Sequence, residues 1–200
     1  MTIQYSTTHR TNNMQDIVTQ AGTGSYVLLF TGSTPANCAA AATGTELVAC
    51  PCSSTFGTVS SGVLTANAIT STAAVNTGTA GYWRLNTTSS SGGVCVAQGT
   101  VYQTTTLTTS STTAADGNTL TFTATTGVVV GMTVSGTGVP ANTTVVAVSS
   151  TTVTMSNTST AGVGSGVTIT FGGDISMNNT SIAATQTVDI TSLTITANGA

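Results

Sequence analysis

Residues 80–101 constrain the fold of this chain more than any other stretch, because they hold its only Trp and one of its two cationic residues. Apolar and polar residues alternate on both sides of a Ser- and Gly-rich loop, which is the pattern of a β-hairpin. A turn near the middle of that loop places Trp83 opposite Val96 and Leu85 opposite Val94, giving one apolar face. The other face is then made by four different side chains: Tyr82, Arg84, Cys95 and Ala97. Because the apolar face needs a second sheet to cover it, we predict a jelly-roll-like β-sandwich with Trp83 and Leu85 in its core.

Composition indicates an all-β chain with a nearly uncharged surface. The 200 residues include 49 Thr, 22 Ser and 22 Gly, but only seven charged side chains, none of which is Lys. Thr and the other β-branched residues suit a half-buried pleated surface. A free globular domain has about a quarter of its residues charged. A surface that depends on hydroxyls and amides instead is better suited to packing against other molecules.

The charge pattern also argues against two kinds of partner. A net charge of -3 and two Arg residues leave no basic stripe that could neutralise phosphates, so no nucleic-acid partner is expected. Binding to a membrane surface by a cationic face is not expected for the same reason. The longest apolar runs, residues 26–30 and 128–130, are much shorter than a spanning helix, and residues 1–10 lack a signal-peptide core. We therefore expect synthesis in the cytoplasm and no membrane partner, unless a leader precedes residue 1.

Four cysteines, Cys38, Cys50, Cys52 and Cys95, allow three interpretations. The first is a tetrahedral zinc site, although structural zinc sites usually place two to four residues between paired ligands. The second is a disulfide between Cys95 and either Cys50 or Cys52. The third, favoured by the lack of a signal peptide, is four reduced and mostly buried thiols. No metal or cofactor is assigned, and the redox state of the cysteines stays open.

One short helix is predicted near the N-terminus. Four apolar residues recur at helical spacing: Met14, Ile17, Val18 and Ala21. Asn12 or Asn13 can cap the helix at its start, and Gly22 ends it. A helix this short is not stable alone, so we expect its apolar stripe to close one end of the sandwich, with docking on a partner protein as the alternative. Residues 1–10 form a polar arm that could add a strand to a neighbouring subunit.

The middle of the chain differs in amino-acid composition from its two ends. Residues 104–171 are almost wholly Thr, Val, Ser, Gly and Ala, in short strand-like pieces separated by turn residues. The pattern after residue 171 resumes that of the hairpin region. We therefore predict a discontinuous first domain, residues 1–103 and 172–200, that carries a small inserted all-β domain, residues 104–171. The insert is expected to fold on its own, because its two ends return to one place.

The sequence offers little for catalysis. The single His, His9, falls in the polar arm with no acid nearer than Asp16, which does not support a hydrolase triad. A glycosidase needs two carboxylates that face one cleft. The chain offers four candidates without a preferred pair: Glu46, Asp116, Asp174 and Asp189. We therefore predict that the protein is not an enzyme and assign no catalytic residue.

Six motifs along the chain are distinctive: THRTNNM, TGSTPANCAAAATGTEL, SGVLTANAIT, TAGYWRL, GVCVAQGTV and NNTSIAATQTVDITSLTITA. Together they resemble a family of small tailed-bacteriophage virion structural proteins, over roughly residues 9–103 and 172–198. The segment VGMTVSGTGVPANTTVVAVSSTTVTMS is similar to a Thr/Val-rich β module of phage tail, fibre and capsid-surface proteins. The chain departs from the family in the insertion itself, where a short turn would be expected. The resemblance implies a virion component and brings no catalytic residue with it.

Three hypotheses about function follow. The first is a capsid decoration (cement) protein on the capsid surface of the virion, a homotrimer that binds the major capsid protein lattice and is made in the host cytoplasm. The second is a tail or fibre component whose β module binds the host surface. The third is a secreted adhesin domain. Copy number per particle would separate the first two, and an upstream leader peptide would favour the third.

Overall fold

Antiparallel strands make up most of the regular structure, which confirms the expected all-β character. The computed structural model describes residues 4–89, 92–177 and 179–197, with 43% strand and 8% helix. A helix, α1 (Thr7–Ala21), comes first. The strands before the middle of the chain are β1 (Tyr26–Thr31), β2 (Glu46–Pro51), β3 (Gly57–Ser60), β4 (Val63–Ala66), β5 (Thr72–Ala73), β6 (Gly78–Asn86), β7 (Cys95–Thr100), β8 (Thr105–Thr108) and β9 (Thr119–Thr121). The later strands are β10 (Thr133–Ser135), β11 (Thr143–Val148), β12 (Thr152–Met155), β13 (Thr168–Gly172), β14 (Ile175–Met177), β15 (Ser181–Ile182), β16 (Thr187–Val188) and β17 (Ile190–Thr196).

The chain packs as two compact units. The first comprises the described residues of Met1–Val101 and Asp174–Ala200, and the second comprises Tyr102–Gly173. The sequence analysis placed these boundaries at residues 103/104 and 171/172. Independent folding of the inserted part stays a prediction.

Two antiparallel sheets form the first unit. One has the strand order β7–β6–β1–β2, with β15 also paired to β6, and the other has the order β14–β17–β4–β3. Strands β5 and β16 form a separate short pair. A single hydrophobic cluster includes Leu29 and Trp83 from the first sheet and Leu64 and Leu193 from the second. The two sheets therefore bury one common core, as the layers of a sandwich do.

The hairpin buries the predicted residues but in a different register. Trp83 and Leu85 are 1% and 0% exposed, which confirms their place in the core. Their partners on β7 are Gly99 and Ala97, so the predicted pairing with Val96 and Val94 is wrong. Ala97 packs against the main core, so its predicted place on the face of Tyr82 and Arg84 is wrong as well. A bulge next to Leu85 shifts the ladder, and a Cβ atom at position 99 would lie only 2.7 Å from Nε1 of Trp83. The indole can therefore lie against β7 because its partner there is Gly. The turn expected in the middle of the connecting loop lies outside the described residues.

Helix α1 begins earlier than the sequence analysis predicted. Ser6, in an extended conformation, is the N-cap, and its hydroxyl accepts a hydrogen bond from the His9 N–H (3.2 Å). The cap predicted at Asn12 or Asn13 is therefore wrong, and the arm of residues 1–10 is helical from Thr7 onward. The helix buries Met14, Val18 and Ala21 in the core shared by both sheets. The predicted apolar stripe thus packs on the sandwich.

The second unit is a six-stranded antiparallel sheet that closes on itself. Its strand order is β8–β13–β10–β11–β12–β9. A bridge between Thr109 and Phe122 joins the end of β8 to the end of β9, where the Ser110 N–H donates to the Thr121 carbonyl (2.8 Å). The cluster inside is centred on fully buried side chains: Leu120, Val153, Met155, Ile169 and Phe171. Closure joins the two outer strands, which would otherwise be sheet edges.

Candidate functional site

The residues that sequence analysis considered for catalysis are not gathered into one cleft. His9 lies in the first turn of α1, where its exposed ring stacks on Tyr5 with centroids 4.8 Å apart. Asp189 accepts a hydrogen bond from the Ser71 hydroxyl (3.0 Å), and Asp116 occupies a left-handed turn position with φ of 62°. In the described part of the chain, no three His, Cys, Asp or Glu side chains come together as a metal site would require.

Two other acids lie at the ends of strands. Glu46 is the first residue of β2, and Asp174 is exposed immediately before β14. The Glu46 carbonyl accepts a hydrogen bond from the Asn76 side-chain amide (2.8 Å). We derive no acid–base mechanism from these positions.

The four cysteines divide into two pairs, which makes the second interpretation, a disulfide between Cys95 and Cys50 or Cys52, wrong. Cys50 lies in β2 and Cys52 directly after it, whereas Cys95 begins β7. Strands β6 and β1 lie between β7 and β2. Neighbouring strands are about 4.8 Å apart, so three strand spacings exceed the reach of a disulfide, whose Cα atoms lie about 4.4–6.8 Å apart. The same separation prevents all four thiols from holding one zinc ion.

Cys50 and Cys52 have the properties of structural thiols. Cys50 is fully buried in the core of the first unit, and Cys52 packs against that core. Burial raises the pKa of each thiol to about 11. Both side chains are therefore protonated near neutral pH, as the third interpretation from the sequence expected.

In the other pair, Cys95 begins β7, and Cys38 belongs to the long β1–β2 loop, residues 32–45, which folds back over the outer face of the β7–β6–β1–β2 sheet. The Thr43 N–H donates to the Tyr82 hydroxyl (2.8 Å), and this hydroxyl donates to the Thr43 carbonyl. Tyr82 is fully buried and stacks on Phe30, with ring centroids 5.0 Å apart. With Leu28, these two rings form a second, smaller core on this face. The loop therefore covers a face of the sheet that would otherwise expose large apolar side chains.

Arg84 fastens the same loop. Its guanidinium is only 2% exposed, and one of its nitrogens donates to the carbonyls of Cys38 (2.8 Å) and Ala40 (2.9 Å). Farther along β7, the Gln98 side-chain amide donates to the Pro35 carbonyl (2.7 Å). These bonds hold the loop backbone on β6 and β7 through side chains that point away from the main core. One of the few cations of the chain is thus used inside the protein.

A cleft of about 540 Å³ opens between the loop and the start of β7. Its wall is formed by small residues, two cysteines and the buried cation: Cys38, Ala39, Ala40, Ala41, Arg84, Gly92, Gly93, Val94 and Cys95. Val94 is 69% exposed at its rim. The cleft brings a charged side chain, Arg84, next to two cysteines.

The sulfur atoms of Cys38 and Cys95 are 2.9 Å apart in this cleft, and Cys95 also contacts the Ala97 carbonyl (3.3 Å). Both side chains are partly exposed free thiols. The pKa of Cys38 is raised to about 12, and burial is the largest cause. The hydrogen bond and the charge of Cys95 raise it further, whereas the positive charge of Arg84 lowers it. The Cys38 thiol is therefore protonated near neutral pH.

Sequence analysis found part of this site. Strand alternation had already placed Arg84 and Cys95 on the same face of the hairpin. Cys38 was missed as their neighbour, because it lies in a loop without periodicity, and its position depends on hydrogen bonds that form only when the loop folds back. The excess of small residues at 39–42 is the one local signal of close packing.

Comparison with protein-family models, with curated proteins and with solved structures found no significant match for this chain. Among the described residues, no helix has both the length and the apolar character required to span a bilayer.

Proposed function

We propose that this protein is a structural component of a tailed-phage virion, and that it is a capsid decoration protein which binds the major capsid protein lattice as a homotrimer. The role is not catalytic. The sandwich of the first unit would have jelly-roll connectivity and form the base on the capsid, and the inserted closed sheet would be an additional module.

The observation that carries this proposal is the scarcity of charge on a fully folded β protein. Of seven charged side chains in 200 residues, Arg84 is buried, and the exposed ones include four Asp: Asp16, Asp116, Asp174 and Asp189. Identical copies therefore meet little electrostatic resistance at close approach. A surface of Thr and Ser hydroxyls can form many short hydrogen bonds with a neighbour that is held in a fixed lattice.

The sequence motifs support the same role. They resemble a family of small tailed-phage virion proteins, and the inserted segment resembles β modules on phage tails, fibres and capsid surfaces. The trimer is proposed because a closed ring of three identical contacts ends assembly, whereas an open head-to-tail contact would continue into a filament.

Copy number in purified virions of the encoding phage tests the proposal. Quantitative mass spectrometry should find this chain in numbers comparable to the major capsid protein, and the isolated protein should have the mass of a trimer in solution. A few copies per particle would instead support the tail or fibre hypothesis. Absence from virions, together with secretion from a bacterial cell, would support the adhesin hypothesis and overturn the proposal.

A further inference from the structure

We propose that Cys38 and Cys95 are a site of reversible oxidation, at which an intrachain disulfide bond locks the β1–β2 loop onto strand β7. This modification does not depend on the proposed virion role. It concerns the first unit alone and rests on four observations: the distance between the two sulfurs, their access to the cleft, the anchoring of the loop and the isolation of the other two thiols.

The geometry of the two thiols is close to that of the bond. Their sulfur atoms are 2.9 Å apart, and the sulfur–sulfur distance in a disulfide is about 2.05 Å. Cys38 is fixed by the hydrogen bond between its carbonyl and Arg84, and Cys95 is fixed by the pairing of β7 with Asn86 of β6. Bond formation therefore requires a shift of less than about 1 Å between two segments that are already in contact.

The cleft gives a small oxidant access to this pair. Both sulfurs line its wall, together with residues that have little or no side chain, such as Ala39 and Gly93. Cys50, in contrast, is fully buried, and Cys52, although partly exposed, is separated from Cys95 by strands β6 and β1. Oxidation should therefore select Cys38 and Cys95 from the four cysteines.

The reaction we propose is exchange with a low-molecular-weight disulfide, for which oxidised glutathione is the probe. The Cys95 thiolate attacks one glutathione sulfur, forms a mixed disulfide and releases one glutathione thiolate. Cys38 then loses its proton to solvent, and its sulfur attacks the Cys95 sulfur and expels the second glutathione. Two cysteine thiols are oxidised, and one glutathione disulfide is reduced to two glutathione thiols.

The surroundings assign the order of these steps. The raised pKa of Cys38 makes its thiolate scarce, which leaves the first attack to Cys95. Once Cys95 is in the mixed disulfide, its negative charge no longer disfavours ionisation of Cys38. The Arg84 charge, which lowers the pKa of Cys38, then favours the second attack.

The consequence is a covalent clamp on the loop. The two cysteines are 57 residues apart in sequence, so the bond closes a long segment that contains strands β2 to β6. Cross-linking restricts the unfolded chain more than the folded one. Oxidation should therefore raise the melting temperature of the first unit, and reduction should reverse the change.

Trypsin gives a direct test, because Arg84 lies between the two cysteines and the chain contains no Lys. The full chain, folded and dilute, is incubated with oxidised glutathione, then denatured in the presence of an alkylating reagent and digested. The fragments on either side of Arg84 should stay joined without reductant and separate with it. The disulfide should also leave two thiols that the alkylating reagent does not modify. The joined fragments and these two unmodified thiols should persist in Cys50→Ser and Cys52→Ser variants and disappear in Cys38→Ser and Cys95→Ser variants.

Three outcomes would overturn the inference. In the first, the alkylating reagent modifies all four thiols after incubation, whatever the ratio of oxidised to reduced glutathione. A second is joined fragments in the Cys38→Ser variant, which would place the bond at Cys50 or Cys52. The third is a bond that forms only between separate chains. Because all four variants replace a thiol by a hydroxyl, circular dichroism of each one controls for loss of folding.

Discussion

The contact between Gly99 and Trp83 predicts that Gly99→Ala destabilises the first unit. An ideal Cβ atom at position 99 would lie 2.7 Å from Nε1, 2.9 Å from Cε2 and 3.0 Å from Cζ2 of Trp83. These atoms belong to a rigid ring that is 1% exposed and packed in the core, so it cannot rotate away as the end of a flexible chain would. The φ of Gly99 is not in the left-handed region, and backbone strain therefore contributes nothing.

Two effects of opposite sign determine how much Gly99→Ala changes the free energy of unfolding. Forcing extra volume into a packed core costs about 1–3 kcal/mol. Replacing Gly by Ala restricts the unfolded chain and stabilises the protein by about 0.4–1 kcal/mol where the conformation is compatible. We expect the overpacking to dominate, with a net loss of about 1–2 kcal/mol. For a unit of this size, that loss lowers the melting temperature by roughly 4–8 °C.

Urea unfolding followed by tryptophan fluorescence measures this effect, because Trp83 is the only Trp and reports on the first unit alone. Gly164→Ala is the control for a Gly to Ala change without a clash; it lies in the second unit, so its unfolding is followed by circular dichroism. The added Cβ there meets its nearest neighbour, Val167, at 3.6 Å, which is ordinary contact. Its stability should stay within about 0.5 kcal/mol of the unchanged protein.

A double-mutant cycle identifies the cause. In a Trp83→Leu background, followed by circular dichroism, the smaller side chain leaves room for the methyl group, so Gly99→Ala should cost much less or become stabilising. An equal penalty in both backgrounds would refute the proposed contact. A neutral or stabilising Gly99→Ala in the unchanged protein would refute the placement of the indole on β7.

Three further predictions concern the core, the insert and the thiols. Trp83→Ala removes the only Trp, so its unfolding in urea is followed by circular dichroism; it should cost about 3–5 kcal/mol, nearer the lower end because the buried Nε1 has no hydrogen-bond partner to lose. A melting temperature that hardly moves would contradict its burial. Replacing residues 102–173 by a short Gly/Ser turn should leave a soluble, cooperatively folded first unit, and an insoluble product would show that the two parts depend on each other. Under reducing conditions, stability should fall as the pH rises from 9.0 through about 11, because the raised pKa of Cys50 means that the folded state holds its proton more tightly. The pH dependence of the urea midpoint should be smaller in a Cys50→Ala variant, and an identical dependence would contradict this assignment.

The two faces of β6 were predictable from the sequence, whereas the register of the hairpin, and with it the face of Ala97 on β7, was not. Strand geometry alternates side chains with a period of two, so Trp83 and Leu85 had to share one face and Arg84 the other. The register depends on a bulge beside Leu85 and on the space that Gly99 leaves for the indole, which are tertiary effects. A slip of this kind exchanges partners without a change in the composition of either strand.

The helix start and the cleft show the same limit in two other places. Thr7 and Thr8 are β-branched residues, which have a lower helix propensity, so the sequence does not predict a helix at this point. The Ser6 cap and the packing of Met14 and Val18 on the sheets offset the lower propensity. The pairing of Cys38 with Cys95 depends on a loop whose position is fixed by contacts remote in sequence. Local patterns contain the elements of this fold, and the contacts between them determine the candidate site.

The protection of the sheet edges suggests how copies of the protein could associate without aggregating. Edge strands are usually guarded by charged residues, above all Lys, which is missing here. In the second unit, the bridge between Thr109 and Phe122 closes the sheet. In the first unit, α1 packs beside β3 and β7. At β2, the Leu47 carbonyl accepts a hydrogen bond from the Val75 N–H (2.8 Å). Association is then expected through neutral, hydroxyl-rich faces and not through strand addition by residues 1–10.

Such contacts contain few charges to screen, so the proposed trimer should persist from low salt to about 1 M salt, where the Debye length is about 3 Å. Sedimentation at both salt concentrations tests this expectation, and dissociation at high salt would show that the interface depends on the few Asp and Arg side chains instead.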